Sequence, residues 1–551
     1  MNTHFSRSLV VSALLMLSAC GSALNYTPHA GPFIPVDVVS TPFNPASQPC
    51  NTTFTRTDLP HLTAGEPGGS ALYASNGSGV AVGDLNGDQR PDLVFGNITG
   101  TVTIFVNDGN FAFHPVSTTL DDVRSLAIVD SNGDGTRELV ATRRFAPPII
   151  GTFQNDALTY ALIPGVYGAF YAMGWQDLDA NGTLELVLGS YDNEQLQQQG
   201  LIFTTRGGGG VFVYSDSNGT FVGNRLNQRA QALAIIFPDL NHDGRADILV
   251  GNDFNEPDAA WNVTTDGYTA VAPFSQTTEN TMSLDYADTD NNGFLDIYAT
   301  DMKPYAQDVT TMAQWLPAMK KLTRPLSADD PQYTENTLHT WDGTRWKNTA
   351  YDLQLDATGW SWSATFADLD NNGWQDLYVV NGMKATDLLN YLPNGELVED
   401  DMLFETADGV TYTRSDRGLL NTGSGRAASM ADLDNDGDLD VVVNPIDGPA
   451  QLYRNNQCGG QSVTITLVDP TSANRDAIGA VVHLATPTGM QTRSVQVSGG
   501  YLSGRPTTVH FGLAAATSAS SLDIRWPDGT HSTVPMLQSG SHYQITRKAA
   551  P

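Results

Sequence analysis

The stretch Gly83-Asp84-Leu85-Asn86-Gly87-Asp88-Gln89-Arg90-Pro91-Asp92-Leu93-Val94-Phe95-Gly96 decides the fold. Its oxygen-bearing side chains fall at positions 1, 3, 5 and 9 of a nine-residue loop, and short apolar runs flank it. The pattern starts again at Asp130, Asp177, Asp239, Asp288, Asp368 and Asp432, giving seven copies.

The loop chemistry points to a hard divalent cation. Ca²⁺ takes six to eight oxygens, and alternating acids and amides on a tightly turning backbone can aim three side chains at one point. Position 1 carries Asp84, Asp130, Asp177, Asp239, Asp288, Asp368 and Asp432. Position 3 carries Asn86, Asn132, Asp179, Asn241, Asp290, Asp370 and Asp434. Position 5 carries Asp88, Asp134, Asn181, Asp243, Asn292, Asn372 and Asp436. Position 9 closes each site with Asp92, Glu138, Glu185, Asp247, Asp296, Asp376 or Asp440. Position 7 offers a backbone carbonyl, so its side chain is free to vary, and a Gly at position 4 or 6 supplies the turn. Mg²⁺ fits less well because it keeps its waters and demands stricter geometry. An EF-hand needs flanking helices and a Glu at position 12, where three of these loops have Phe95, Ala141 and Val443. Ser131 and Ala180 interrupt the pattern in the second and third loops, which are therefore the weaker candidates. Five to seven bound Ca²⁺ ions are expected.

The net charge of −32 argues against a nucleic-acid partner, which requires clustered Lys and Arg. The acids recur inside the loops rather than in runs, so metal binding explains them better than a disordered acidic tail. The three cysteines, Cys20, Cys50 and Cys458, have no zinc-site spacing.

Residues 1–19 read as a signal peptide: Arg7 precedes a short apolar core, Leu9 to Met16. Leu17-Ser18-Ala19-Cys20 resembles a bacterial lipobox, which implies lipidation at Cys20 and, where the cell has an outer membrane, residence there. Residues 20–50 are rich in Pro, Ser, Thr and Asn and read as a tether. From 51 to 457 the repeat dominates. Its loop starts lie 46, 47, 62, 49, 80 and 64 residues apart, and the shortest intervals match one four-stranded propeller blade. The strand before each loop is rich in small residues, such as Ala81 and Gly83, as innermost strands converging on an axis require. Within the longest interval, residues 303–345 are an insertion. It holds a short helix at Val309–Leu316, stopped or kinked by Pro317, with Met312, Trp315, Leu316 and Met319 roughly on one face. This insertion reads as a loop packed on the body or as a binding rim. Residues 461–548 lack the acidic loop and read as a separate small β-domain.

Residues 76–457 resemble the FG-GAP or VCBS type of repeat, as found in integrin α-subunit propellers and bacterial surface proteins. The last 90 residues resemble the ASPIC and UnbV domain through Asn474-Arg475-Asp476-Ala477-Ile478-Gly479-Ala480, Gly500-Tyr501-Leu502-Ser503, His510-Phe511-Gly512-Leu513 and Arg525-Trp526-Pro527-Asp528-Gly529. The combination is similar to the cartilage acidic protein family in its bacterial form. The resemblance implies an all-β chain: a seven-bladed calcium propeller followed by a small C-terminal β-domain. It implies no reaction.

The expected function is a surface-tethered, non-enzymatic binding, adhesion or scaffold module. Its partner would be a protein or glycan at the cell surface, with membrane contact only through the lipid anchor. One alternative is a polysaccharide lyase or hydrolase using Asp285, Asp301 and His339, with Trp360 and Trp362 as a sugar-stacking surface or as inter-blade packing. Another is an accessory subunit of an envelope secretion or uptake complex. Arg475, Asp476, Arg525 and Trp526 are expected to be structural within the C-terminal domain. A propeller is a ring, so Cys50 and Cys458, at the two ends of the repeat, are expected to meet in a disulfide that fastens it.

Overall fold

The computed structural model describes residues 31–44, 51–64, 72–198, 209–254, 256–322, 330–457, 460–487 and 489–549. The signal peptide, Cys20, Cys50 and Cys458 lie outside the described residues.

The chain is almost entirely β-structure. Each acidic loop joins the first two strands of an antiparallel four-stranded unit, and there are seven such units among the described residues. Blade 1 comprises Val80–Gly83, Asp92–Phe95, Thr101–Gly109 and Ala112–Asp121. Blades 2 to 7 begin with Val123–Val129, Ala172–Gln176, Ala232–Ile236, Leu284–Ala287, Gly359–Ala367 and Ser424–Ala431. These first strands touch their neighbours in order, and the seventh touches the first, which closes a seven-membered ring. All seven are buried along their length. Small residues permit the approach: a Cβ at Gly83 would lie 3.3 Å from Ile128 of blade 2, and one at Gly174 2.6 Å from Phe237 beyond blade 4's first strand.

The ring is closed by a segment from its other end. Thr55–Leu62 pairs antiparallel with Pro449–Arg454 as the outer strand of blade 7, with Thr55 opposite Arg454. Asn51 N–H donates to the Asn456 carbonyl at 2.7 Å, so the described neighbours of Cys50 and Cys458 meet.

The small C-terminal domain consists of two four-stranded sheets around Val463, Ile465, Phe511, Trp526 and Ile545. Two expectations about it need correction. Part of the 20–50 tether belongs to it: Val36–Pro42 pairs antiparallel with Ser541–Arg547 along its whole length. The strand is exposed on nearly every residue, so it carries no apolar alternation to betray it. The domain is also not separate. Its segment Ser498–Gly504 enters the propeller's centre, where Tyr501 is fully buried. Gly500 N–H donates to the Leu284 carbonyl (3.0 Å), Leu126 N–H to the Leu502 carbonyl (3.3 Å), and Gly504 pairs in parallel with Ala81. One short segment thus touches the first strands of blades 1, 2 and 5.

In the insertion, the helix runs over Val309–Leu322 and continues past Pro317 instead of stopping there. Asp308 caps it, accepting from Thr310 N–H (2.9 Å) and Thr311 N–H (3.1 Å). Trp315 and Ala318, on either side of the proline, are buried and pin both halves to the body, with Trp315 against Trp360 at 5.7 Å. Leu316 is 56% exposed, so the expected four-residue apolar face is only partly used.

Candidate functional site

Since the first strands of an antiparallel blade ring run the same way, all seven loops emerge on one face. Their backbones share one design. Positions 4 and 6 have positive φ in every loop: Gly87, Gly133, Ala180, His242, Asn291, Asn371 and Asn435 at position 4, then Gln89 and six glycines at position 6. Ala180 therefore does not break the third loop; it adopts φ 59°.

The position 1 carboxylate organises the turn from inside. Asp84 accepts from Gly87, Asp88 and Gln89 N–H at 2.7, 3.0 and 2.9 Å, and Asp239, Asp368 and Asp432 accept comparably. The position 9 carboxylate accepts the position 2 N–H in all seven loops, at 2.9–3.1 Å. In four loops its second oxygen accepts an N–H from the third strand: Asp92 from Asn107, Asp247 from Val263, Asp376 from Thr406 and Asp440 from Asn455. Position 9 thus ties the loop to its blade as well as facing it, and each oxygen keeps a further lone pair.

The carboxylates converge. In the third, sixth and seventh loops, oxygens of positions 1, 3 and 9 (Asp177, Asp179, Glu185; Asp368, Asp370, Asp376; Asp432, Asp434, Asp440) lie within 4.8 Å of one another. The third loop, expected to be weak, is among the best assembled. Glu185 Oε1, Asp296 Oδ1 and Asp434 Oδ1 are buried acceptors with no hydrogen-bond partner. Burial, reinforced by neighbouring acids, pushes Asp288 and Asp368 up to about 7 and Glu185 up to about 8. Crowded, buried, partly orphaned carboxylate oxygens fit a divalent cation, which would replace the lost solvation and relieve the repulsion.

The loop face is covered by the C-terminal domain, a placement that no local pattern of residues signals. Arg137, at position 8 of the second loop, forms a two-bond pair with Asp476. Asn474 N–H and Ser472 Oγ both donate to the Gly182 carbonyl at 2.8 Å. Arg525 Nη1 donates to the Gly244 carbonyl. Ser462 Oγ donates to the Gly437 carbonyl at 2.6 Å. Gly182, Gly244 and Gly437 are all position 6 residues. Gly512 lies so close to the sixth loop that a Cβ there would collide with the Asp368 carboxylate and come within 2.6 Å of Asn371. Hence Asp476 and Arg525, expected to hold the small domain internally, hold it to the propeller. Trp526 is internal as expected, buried and donating to Ser532 Oγ at 2.9 Å.

The residues weighed for catalysis are committed elsewhere. Asp285 pairs with Arg505 at 3.0 Å and accepts from Phe366 N–H. Asp301 accepts from Glu279, Asn280 and Met302 N–H. His339 is buried and stacks on Phe274 at 3.9 Å. Trp360 and Trp362 are buried packing residues rather than a sugar platform; the Arg426 guanidinium lies over the Trp362 ring, and Tyr501 meets that ring edge to face.

Residues 470–551 match the ASPIC and UnbV family, and residues 84–141 and 239–299 match the FG-GAP-like repeat. Cartilage acidic protein 1 of Mus musculus and of Homo sapiens are each 34% identical over 111 residues, and that of Xenopus tropicalis 32% over 111. Those stretches cover 19% of this chain and 16–17% of each relative, so the chain matches under a fifth of the relatives' length. The chain combines FG-GAP-like repeats with a C-terminal ASPIC/UnbV domain.

Proposed function

For a chain that joins FG-GAP-like repeats to an ASPIC/UnbV domain, we propose the role of a non-enzymatic binding module, stabilised by calcium and displayed on the cell envelope. The observation that carries it is the seven-fold loop face, with three carboxylates within 4.8 Å in at least three loops and orphaned oxygens in three. The commitment of Asp285, Asp301 and His339 to internal partners favours binding over catalysis. Ions would be held by positions 1, 3, 5 and 9 of each loop, five to seven in all. They would supply charge neutralisation that locks the loop face under the C-terminal domain.

Lipidation at Cys20 and the Cys50–Cys458 bond remain part of this proposal. The hydrogen bond between Asn51 and Asn456 favours the latter. Mass analysis of the exported protein tests both: a lipid-modified Cys20 and two cysteines that resist alkylation without reductant are expected. A surface-capture assay against glycan and protein panels tests the binding role. Turnover of a polysaccharide panel would replace it with the enzymatic reading, and stable co-purification with a transport complex would favour an accessory subunit.

A further inference from the structure

Residues 31–44 form a strap laid along the C-terminal domain. Its near end is fixed. Ile34 is buried, its N–H donates to the His531 carbonyl at 2.8 Å, and His531 N–H donates to the Pro32 carbonyl at 3.0 Å. Its middle, Val36–Pro42, is held by backbone pairing with Ser541–Arg547 and is exposed at six of its seven residues. Burial contributes little there, and an element held in that way opens readily unless both ends are pinned.

The far end is pinned to the seventh acidic loop. Asn44 N–H donates to the Asn435 carbonyl and Asn44 Nδ2 to the Asp434 carbonyl, both at 2.6 Å. The Phe43 ring lies against Gly437, where a Cβ would come within 2.5 Å of it. Positions 3, 4 and 6 of one loop thus form the strap's seat.

This loop also carries the most charge. It holds five carboxylates, at Asp432, Asp434, Asp436, Asp438 and Asp440, where each of the other six loops has three. Arg454, paired with Asp434, and Arg417, within electrostatic reach of Asp438, set two positive charges against these five. Oxygens of Asp432, Asp434 and Asp440 lie within 4.8 Å of one another, and Asp434 Oδ1 is buried with no hydrogen-bond partner. Without a cation, the surplus repulsion acts on the turn that seats Phe43 and Asn44. A divalent ion relieves it.

We propose that the seventh loop is a calcium-operated latch for the strap. An ion there keeps residues 36–44 docked, and its loss frees the strap from the loop end while the C-terminal domain stays folded. The inference rests on the calcium reading of the loops and adds a regulated contact to it. The strap lies between the proposed lipid site at Cys20 and the propeller, so calcium sets how much of the N-terminal segment acts as tether. By linkage, the docked strap in turn strengthens calcium binding at that loop.

The test is hydrogen exchange on the full mature chain, read by mass spectrometry, with calcium counted by elemental analysis. Asp440→Asn alters position 9 of the seventh loop, and Asp92→Asn the same position of the first. Asp440→Asn should bind one ion fewer than the parent, and the amides of Val36–Pro42 should exchange about tenfold faster, the cost of the two Asn44 bonds. The amides of Val463, Ile465 and Leu467, inside the domain, should keep the parent's rate. Asp92→Asn should lose its own ion and leave the strap's rate unchanged. Asn44→Ala touches no proposed metal ligand, and calcium titration should show one site weakened about tenfold. A strap still protected in Asp440→Asn, with or without loss of the ion, overturns the latch and leaves the calcium reading standing. Equal acceleration of strap and inner strands means that the domain opens as a whole, and also overturns it. So does Asn44→Ala with every site at the parent's affinity. A parent chain that binds no calcium overturns both readings.

Discussion

Arg137 of the propeller and Asp476 of the C-terminal domain face each other across the joint with both guanidinium–carboxylate bonds formed, at 2.7 and 2.9 Å. The pair stands beside the first acidic loop, since Arg137 also approaches Asp84 at 3.7 Å. Asp476→Asn should cost about 1.5–3 kcal/mol, as expected for a hydrogen bond to a charged group. Urea unfolding gives the magnitude. Limited proteolysis near Gly460 gives the place, since the variant should release the C-terminal domain faster than the parent protein.

Tyr501 fills the hub. Its hydroxyl donates to the Asn76 carbonyl at 2.7 Å and meets the Tyr171 hydroxyl at 3.0 Å. Tyr501→Ala should destabilise by about 3–5 kcal/mol through the cavity it leaves. Tyr501→Phe should cost about 1–3 kcal/mol, because it orphans buried partners. Both should lower the unfolding midpoint of propeller and C-terminal domain together. A variant in which only the C-terminal domain loosens would show that the hub contact does not couple them.

Gly512→Ala tests the close approach to the sixth loop. The added methyl collides with Asp368, so the variant should lose about 1–3 kcal/mol, as overpacking does. It should also bind one calcium fewer than the parent, read by elemental analysis. Full stability with full metal content would contradict the docking.

Away from the loops, Asp253, Asp301 and Asp401 are buried. Burial lifts Asp253 to about 6 and Asp301 and Asp401 well above the usual carboxylate range. In the unfolded chain these groups release protons near pH 4. Between about pH 4 and the folded values, the native state therefore holds more protons than the unfolded one, and stability falls as pH rises. In calcium-saturated protein, Asp401→Asn should raise the urea midpoint at pH 8 more than at pH 4. An equal effect at both values would mean that the carboxyl titrates alike in both states.

The loops were legible because their chemistry is local: Asp84, Asn86, Asp88 and Asp92 sit within nine residues, and their repetition announces the blades. The small residues before each loop, such as Gly83 against Ile128, were legible for the same reason. What escaped depends on distant pairings. Thr55–Leu62 completes a sheet whose other strands begin at residue 424, and Val36–Pro42 joins a sheet built mostly after residue 460. Gly500-Tyr501-Leu502-Ser503 was visible as a motif, but nothing within it says that it fills the axis of another domain. The helix beyond Pro317 was missed because tertiary burial of Trp315 and Ala318 outweighs the local penalty of a proline.

The most direct measurement is calorimetric melting of the calcium-loaded mature chain before and after chelation, with metal counted by elemental analysis. The account predicts five to seven calcium ions per chain and a large fall in melting temperature on chelation. A site at a hundredfold excess over its Kd contributes about 2.7 kcal/mol. A chain that carries no calcium and melts unchanged in chelator would contradict it.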